Sequence, residues 1–190
     1  EPGVDLERAA VDADRGRGSA DNLVHHHGAL QQPFPVEFHQ RLYIGEAARY
    51  DHMGINGYER NTTPYLSAKN NIISYSSIYA QANLTNYSIP FLLTRATASS
   101  RAIMHTEKSI LEAFQEAGYK TAFISKNSYT PFTMRIMNSC DYHYIFSRGL
   151  DAADSYDIDL VCHTKDIVGD YGQLVVLHSL GSHFKYSLRY

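Results

Sequence analysis

Residues 106–125 read TEKSILEAFQEAGYKTAFIS, and this stretch decides the fold. Thr106 or Ser109 can cap a helix whose apolar stripe is Ile110, Leu111, Phe114 and Ala117. Gly118 supplies a left-handed stop. KTAFIS (120–125) follows at once and has the look of a strand. Further along, QLVVLHSLGSH (173–183) begins as a continuous apolar run of the kind buried in parallel sheets and ends in a Gly-containing loop. YHYIF (142–146) is another short strand, and LYI (42–44) is a strand end, although FHQRLYI is weak for a central strand. Between them, TPYLSAKN reads as a short helix with Pro64 in its first turn and Thr62 or Thr63 as cap. IISYSSIYA (72–80) reads as β-rich, and NLTNYSIPFLLTRA as a helix from about Tyr87 with Pro90 early in it. Strands alternating with helices predict an α/β fold with a mostly parallel central sheet flanked by helices.

The bulk numbers exclude several classes. The chain has 190 residues, enough for one domain, with 44% hydrophobic and 19% charged residues. A formal net charge of −3 leaves no basic footprint for nucleic acid. No run of about 18 apolar residues predicts a membrane span, and residues 1–30 lack the apolar core of a signal peptide. Cys140 and Cys162 permit at most one disulfide and have no zinc-site spacing. Residues 1–41 differ in composition: they hold no Tyr, Ile, Met or Lys. They read either as a disordered leader or as sequence foreign to the domain, and His25–His27 as a solvated run. The domain proper is expected over 42–190.

In a parallel α/β sheet, ligands bind beyond the carboxyl ends of the strands. Glu46 follows the first strand, His178 and His183 follow the last, and Thr85 leads into a helix. These residues can therefore meet at one edge. A threonine there meets free helix N–H groups and the positive end of the helix dipole, which suits an alkoxide or a phosphate ester. An ordinary helix cap explains it as well. A carboxylate after Gly45 suits a divalent metal, as it also suits a plain surface position. Asp51 and His52 are further ligand candidates, unless His52 packs in a turn. His178 is either a metal or substrate contact or a strand-end histidine with a backbone partner. Threonine is a poor nucleophile at neutral pH, so a metal or base has to activate it.

These segments resemble a known family. GEAARYDHMGINGYERNTTPYLS (45–67), NLTNYSIPFLL (83–93) and VVLHSLGSHFKYSLRY (175–190) are similar, in order, to the motifs of the phosphoethanolamine transferases of the alkaline phosphatase/sulfatase superfamily. The resemblance implies that Glu46 binds a catalytic zinc and that Thr85 carries phosphoethanolamine as a covalent intermediate while also touching the zinc. It implies that His183 binds a second zinc or the substrate phosphate. His178 belongs to the same segment, and Asn127 falls near a substrate-contact position. The implied donor is phosphatidylethanolamine. The implied acceptor is a phosphate of lipid A or of a lipopolysaccharide core sugar, at the periplasmic face of the bacterial inner membrane. Such a modification lowers negative surface charge and weakens polymyxin binding. Membrane contact would come through a domain absent from this chain.

The sequence also departs from the family. Ala47 stands where Ser or Thr is usual, Asn83 replaces the first threonine of the nucleophile motif, and positions 81 and 91 are Gln and Phe where several members have cysteines. The Asp-His-Gly-Glu segment that supplies two zinc ligands is not found. The expectation is an incomplete catalytic domain with weak zinc binding, negligible turnover and poor solubility. The competing readings are a non-enzymatic α/β binding domain, or a sulfatase or phosphodiesterase of the same superfamily. No Cys/Ser-x-Pro-x-Arg motif stands at the place where a sulfatase would carry one.

Overall fold

The computed structural model describes residues 38–127, 130–146, 156–167, 169, 172–181 and 183. The leader up to residue 37, with His25–His27, and the stretch 184–190 lie outside the described residues. Four strands, β1 (His39–Ile44), β2 (Lys120–Ser125), β3 (Tyr142–Ile145) and β4 (Gln173–His178), form one sheet in the order β1-β4-β2-β3. Every pairing is parallel. The expected α/β architecture is thus present. The weak central-strand character of FHQRLYI has its explanation, because among the described residues β1 lies at an edge and pairs with β4 alone. It begins at His39, so residues 39–41 belong to the sheet despite their leader-like composition.

The two middle strands are buried on both faces, and their side chains alternate between two cores. Leu174, Val176 and Phe123 join Ile44, Ile89, Leu93, Leu111, Ile136 and Met137 on one face. Val175, Leu177, Ala122 and Ile124 meet Leu160 on the other. This two-sided burial is why QLVVLH is apolar throughout rather than alternating. Helices α1 (Pro64–Ser67), α2 (Thr85–Leu93), α3 (Ile103–Thr106), α4 (Ile110–Glu116), α5 (Pro131–Ser139) and α6 (Ile158–Lys165) complete the described fold.

Helix α4 starts at a capping box: Ser109 Oγ accepts from Glu112 N, and the Glu112 carboxylate accepts from Ser109 N. Of the two expected caps it is therefore Ser109 that acts, while Thr106 closes α3. Gly118 has φ +90°, the predicted left-handed stop. The expected stripe is narrower than predicted. Leu111 is fully buried and Phe114 half-buried, but Ile110 and Ala117 face solvent. A helix of two turns capped at Ser109 can present only one i, i+3 pair to the sheet, and that pair is Leu111 with Phe114. The β-rich reading of 72–80 is overturned: the segment forms no strand, and Ile73, Tyr75, Ile78 and Tyr79 stand in solvent. Alternation alone does not make a strand: cross-strand packing and burial do, and this segment has neither. Helices α3, α5 and α6 were not foreseen, although Thr130-Pro131 before α5 is a readable start signal, with Thr130 Oγ1 accepting from Thr133 N.

Asp141 ties the amino ends of β2 and β3 together. Its carboxylate accepts from Thr121 N at 2.9 Å, Lys120 Nζ at 2.8 Å and Gln115 Nε2 at 3.1 Å. Burial opposes its ionisation, but these donors outweigh burial and hold the carboxyl down at about 2. A depressed folded pKa stabilises the fold above the unfolded value, and the contribution disappears as pH falls toward the folded one. Urea titrations from pH 5 to pH 2 are expected to lose about 1–2 kcal/mol through this group, allowing for its partial exposure. Asp141→Ala should remove most of that acid-dependent loss. An unchanged pH slope in the variant would place the effect elsewhere.

Candidate functional site at the carboxyl edge of the sheet

Strand register builds the site. Ile44 pairs with His178, and His178 pairs with Ser125, so these three form one row across the sheet. Glu46 and Asn127 each lie two residues past that row. The backbone then turns sharply: Ala47 has φ +50°, in the left-handed region, a strain of about 1 kcal/mol that non-glycine residues adopt where surrounding structure enforces it. The loop beyond is locked from within. Thr62 Oγ1 accepts from Gly54 N and donates to His52 O, and Thr63 Oγ1 accepts from Ile55 N. Thr63 precedes α1 as its N-cap residue, yet it gives α1 no side-chain cap. Asp51 pairs with Arg49 on the surface, and His52 stacks on Tyr58 with ring centroids 4.8 Å apart, so His52 packs in a turn.

Thr85 is the first residue of α2 rather than a residue ahead of it, with Leu84 as N-cap. Leu84 offers no side-chain cap. The Thr85 hydroxyl is therefore the polar side chain carried at the start of this nine-residue helix. Its Oγ1 donates to Glu46 Oε2 at 3.1 Å. Asn127 Nδ2 donates to the same Oε2 at 2.9 Å and to Ser179 O at 3.2 Å. It also lies 3.4 Å from His178 Nε2. A carboxylate and a carbonyl only accept, so the amide nitrogen has to face them.

The protons of this network follow one consistent assignment. Ser125 Oγ donates to Asn127 O and accepts from Asn127 N. With its proton so placed, Ser125 Oγ receives the His178 Nδ1 proton across 3.2 Å, and Nε2 is left as an acceptor facing Asn127. His178 is 3% exposed, and burial pushes its pKa below the ordinary value despite the upward pull of the Glu46 and Asp157 carboxylates. A neutral imidazole is what this network needs.

The structure thus brings Glu46, Thr85, Asn127 and His178 together. Asn127 Nδ2 stands between Glu46 Oε2 and His178 Nε2. His183 lies in the turn after β4, closed by His183 N donating to Leu180 O at 2.9 Å. Glu46, Thr85 and His178 line one cleft of about 690 Å³, whose wall includes Ile78, Tyr79 and Leu92. Among the described residues, no group of three or more His, Cys, Asp or Glu is gathered for a metal.

Sequence reasoning missed the support of this edge. Asp157 Oδ1 accepts from Leu180 N and Oδ2 from Gly181 N, both at 2.9 Å. Lys126, whose side chain is wholly buried, donates to Tyr156 O and, at 2.6 Å, to Asp159 Oδ2. One short segment, 156–159, therefore grips both the loop carrying Asn127 and the loop carrying His183. No local pattern announces these partners, because only the fold brings them near. Cys140 and Cys162 are free thiols, and burial pushes the Cys140 thiol up to about 12, so it is inert.

At the carboxyl edge of this parallel sheet a hydroxyl is hydrogen-bonded to a carboxylate, and the chain belongs to the sulfatase family, whose family model matches residues 42–190. Within that family, the relatives it resembles are phosphoethanolamine transferases. It is 26% identical over 160 residues to phosphoethanolamine transferase EptC of Escherichia coli K12, covering 78% of this chain and 28% of that protein. It is 30% identical over 155 residues to the Kdo(2)-lipid A phosphoethanolamine 7''-transferase of the same strain, covering 77% of this chain and 27% of that one. The chain therefore spans little more than a quarter of the length of these curated relatives. Among solved structures, the C-terminal periplasmic domain of E. coli EptC in complex with Zn superposes with a TM-score of 0.74 at 25% identity, covering 80% of this chain and 46% of that domain.

Proposed function

We propose that this chain carries the nucleophile side of a zinc-dependent phosphoethanolamine transferase. The donor is phosphatidylethanolamine, and the acceptor is a phosphate of lipid A or of a lipopolysaccharide core sugar. The reaction takes place on the periplasmic side of the inner membrane. Among the described residues no helix is long and apolar enough to cross a membrane, so contact with the bilayer through a helical anchor would belong to sequence outside them. The observation that carries the reading is the hydrogen bond from Thr85 Oγ1 to Glu46 Oε2 at the start of α2.

The chemistry of the donor set suits zinc in part: a carboxylate and a hydroxyl 3.1 Å apart at one cleft, to which Glu46 and Thr85 would contribute. His183 would hold a second zinc or the transferred phosphate. Bound zinc would supply a lowered hydroxyl pKa and charge stabilisation at phosphoryl oxygens. The remaining work falls to the chain. Asn127 holds the Glu46 carboxylate in one orientation, and Glu46 accepts the Thr85 proton along their hydrogen bond. Thr85 Oγ1 adds to phosphorus, the bond from phosphorus to the diacylglycerol oxygen breaks, and that oxygen takes up a proton. The α2 N-terminus stabilises the charge on the ester. In the second half, an acceptor phosphate oxygen attacks the same phosphorus, the bond to Thr85 Oγ1 breaks, and Glu46 returns its proton to that oxygen along the same hydrogen bond.

The test is mass spectrometry of the chain after incubation with phosphatidylethanolamine vesicles and excess zinc. A single phosphoethanolamine adduct on Thr85 with matching diacylglycerol release is expected, without repeated turnover. Absence of any adduct, or an adduct mapped to another residue, would sink the proposal. Zinc itself should bind weakly. With few ligands gathered, the dissociation constant by competition with a chromophoric chelator is expected to be micromolar or weaker, corresponding to about 8 kcal/mol or less. Tight stoichiometric zinc would contradict this.

A further inference from the structure

The residues from Arg60 to Thr106 include Arg60, Lys69, Arg95 and Arg101 and not one Asp or Glu, although the whole chain has a formal charge of −3. Charge is therefore segregated along the chain, and the basic stretch is the one that wraps the nucleophile. It is also where large apolar side chains meet solvent. Ile73 is 75% exposed, Tyr75 66%, Ile78 72% and Tyr79 86%. Four such residues within seven positions are unusual for a surface that faces only water. The segment carries no strand pairing to explain them. Leu84, Leu92 and Tyr87 continue the exposed apolar surface along α2, and Arg101 lies over the Tyr87 ring at 5.4 Å. Ile78, Tyr79, Leu84 and Leu92 also line the cleft that holds Glu46 and Thr85. The apolar surface and the reactive hydroxyl share one opening.

We infer that the 73–79 segment, with the exposed side of α2, is a docking surface for an anionic lipid bilayer, and that it brings the mouth of the Thr85 cleft to headgroup depth. Tyrosine and isoleucine, with Lys69 and Arg101 on their flank, form the composition that settles at a membrane interface; Arg95 is taken up by Glu107, and Glu46 lies inside the cleft. Tyr rings lie at headgroup level, aliphatic chains enter the acyl boundary, and Lys and Arg meet lipid phosphates. A protein partner with acidic groups would match the charge alone. The mixed Tyr/Ile patch opening into the cleft favours lipid. Binding of the surface to a bilayer involves no phosphoryl transfer. Only the statement that it delivers a lipid headgroup to Thr85 rests on the transferase reading above.

Flotation of the full chain through a sucrose gradient tests the inference and leaves aggregates at the bottom. The probes are vesicles of phosphatidylcholine alone and of phosphatidylcholine mixed with phosphatidylglycerol. The chain is expected to float with the mixed vesicles, less with the neutral ones, and less again at high salt. Ile78→Ser combined with Tyr79→Ser should lower the floated fraction about tenfold. Lys69→Glu combined with Arg101→Glu should erase the preference for phosphatidylglycerol. All four side chains lie at the surface segment and its flank, so circular dichroism of both variants should match the parent. Thr85→Ala should float like the parent. The inference is overturned if the Ser variant floats equally well. It is overturned too if no vesicle carries the chain, including the case where light scattering shows the segment joining two copies. Because flotation involves no phosphoryl transfer, a chain that floats but forms no adduct counts against the transferase reading only. One that forms the adduct but does not float counts against this surface only.

Discussion

Thr85→Ala is expected to abolish the phosphoethanolamine adduct, lowering its rate of formation on the order of 10³-fold or more, with little change in stability. The side chain makes one hydrogen bond, to Glu46, so its removal should cost about 1 kcal/mol of folding free energy. Thr85→Ser keeps an oxygen at the start of α2 and should restore labelling in large part. Glu46→Gln tests the same pair from the other side. It removes the negative charge that accepts from both Thr85 and Asn127, and adduct formation should fall about 10²–10³-fold. If Thr85→Ala were labelled as fast as the parent on a neighbouring side chain, the cleft would still be a lipid site, but Thr85 would be only a helix-start residue.

The fold was legible where burial writes itself into composition. The apolar run of β4, the capped helix before β2 and the glycine stop at Gly118 each follow from local rules, and each is present. The site was legible for a different reason. In a parallel sheet, residues just past different strands meet at one edge, which places Glu46, Thr85, His178 and His183 there without any distance being known. Glu46, Thr85 and His178 do line one cleft, while Asn127, which bonds Glu46, is reached only through the family resemblance. What escaped was decided by tertiary partners. The 72–80 alternation looks like a strand, but a strand is held by cross-strand partners, and this segment pairs with none. Thr62 or Thr63 reads as the cap of α1; Thr63 is its N-cap residue but gives no side-chain cap, and the hydroxyls of both tie down the loop after Glu46. His178 looked equally like a ligand or a structural histidine. It is buried beside Ser125 and Asn127 and also lines the cleft, a placement that only the assembled sheet decides.

Asp157→Ala is expected to be the most damaging change outside the cleft. One carboxylate accepts both the Leu180 and the Gly181 N–H, and Leu180 is buried, so alanine would leave donors unsatisfied in the turn between His178 and His183. Charge-assisted bonds of this kind make the loss about 3 kcal/mol, and at this chain length each kcal/mol lowers the melting temperature by about 2–4 °C. Asp157→Asn, which keeps one acceptor oxygen, should fall between parent and alanine. The close fit around Gly181 supplies an internal control. A Cβ at Gly181 would stand 3.0 Å from Asp157 Oδ2, so Gly181→Ala in the parent should force the carboxylate aside and destabilise as well. Once Asp157 is alanine, that obstacle is gone, and Gly181→Ala should then cost little. The two substitutions are therefore expected to be less than additive, with a coupling of about 1 kcal/mol or more in chemical denaturation. Strict additivity would mean that the carboxylate and the glycine act independently. The hold of segment 156–159 on the His183 loop would then have to be credited to other contacts.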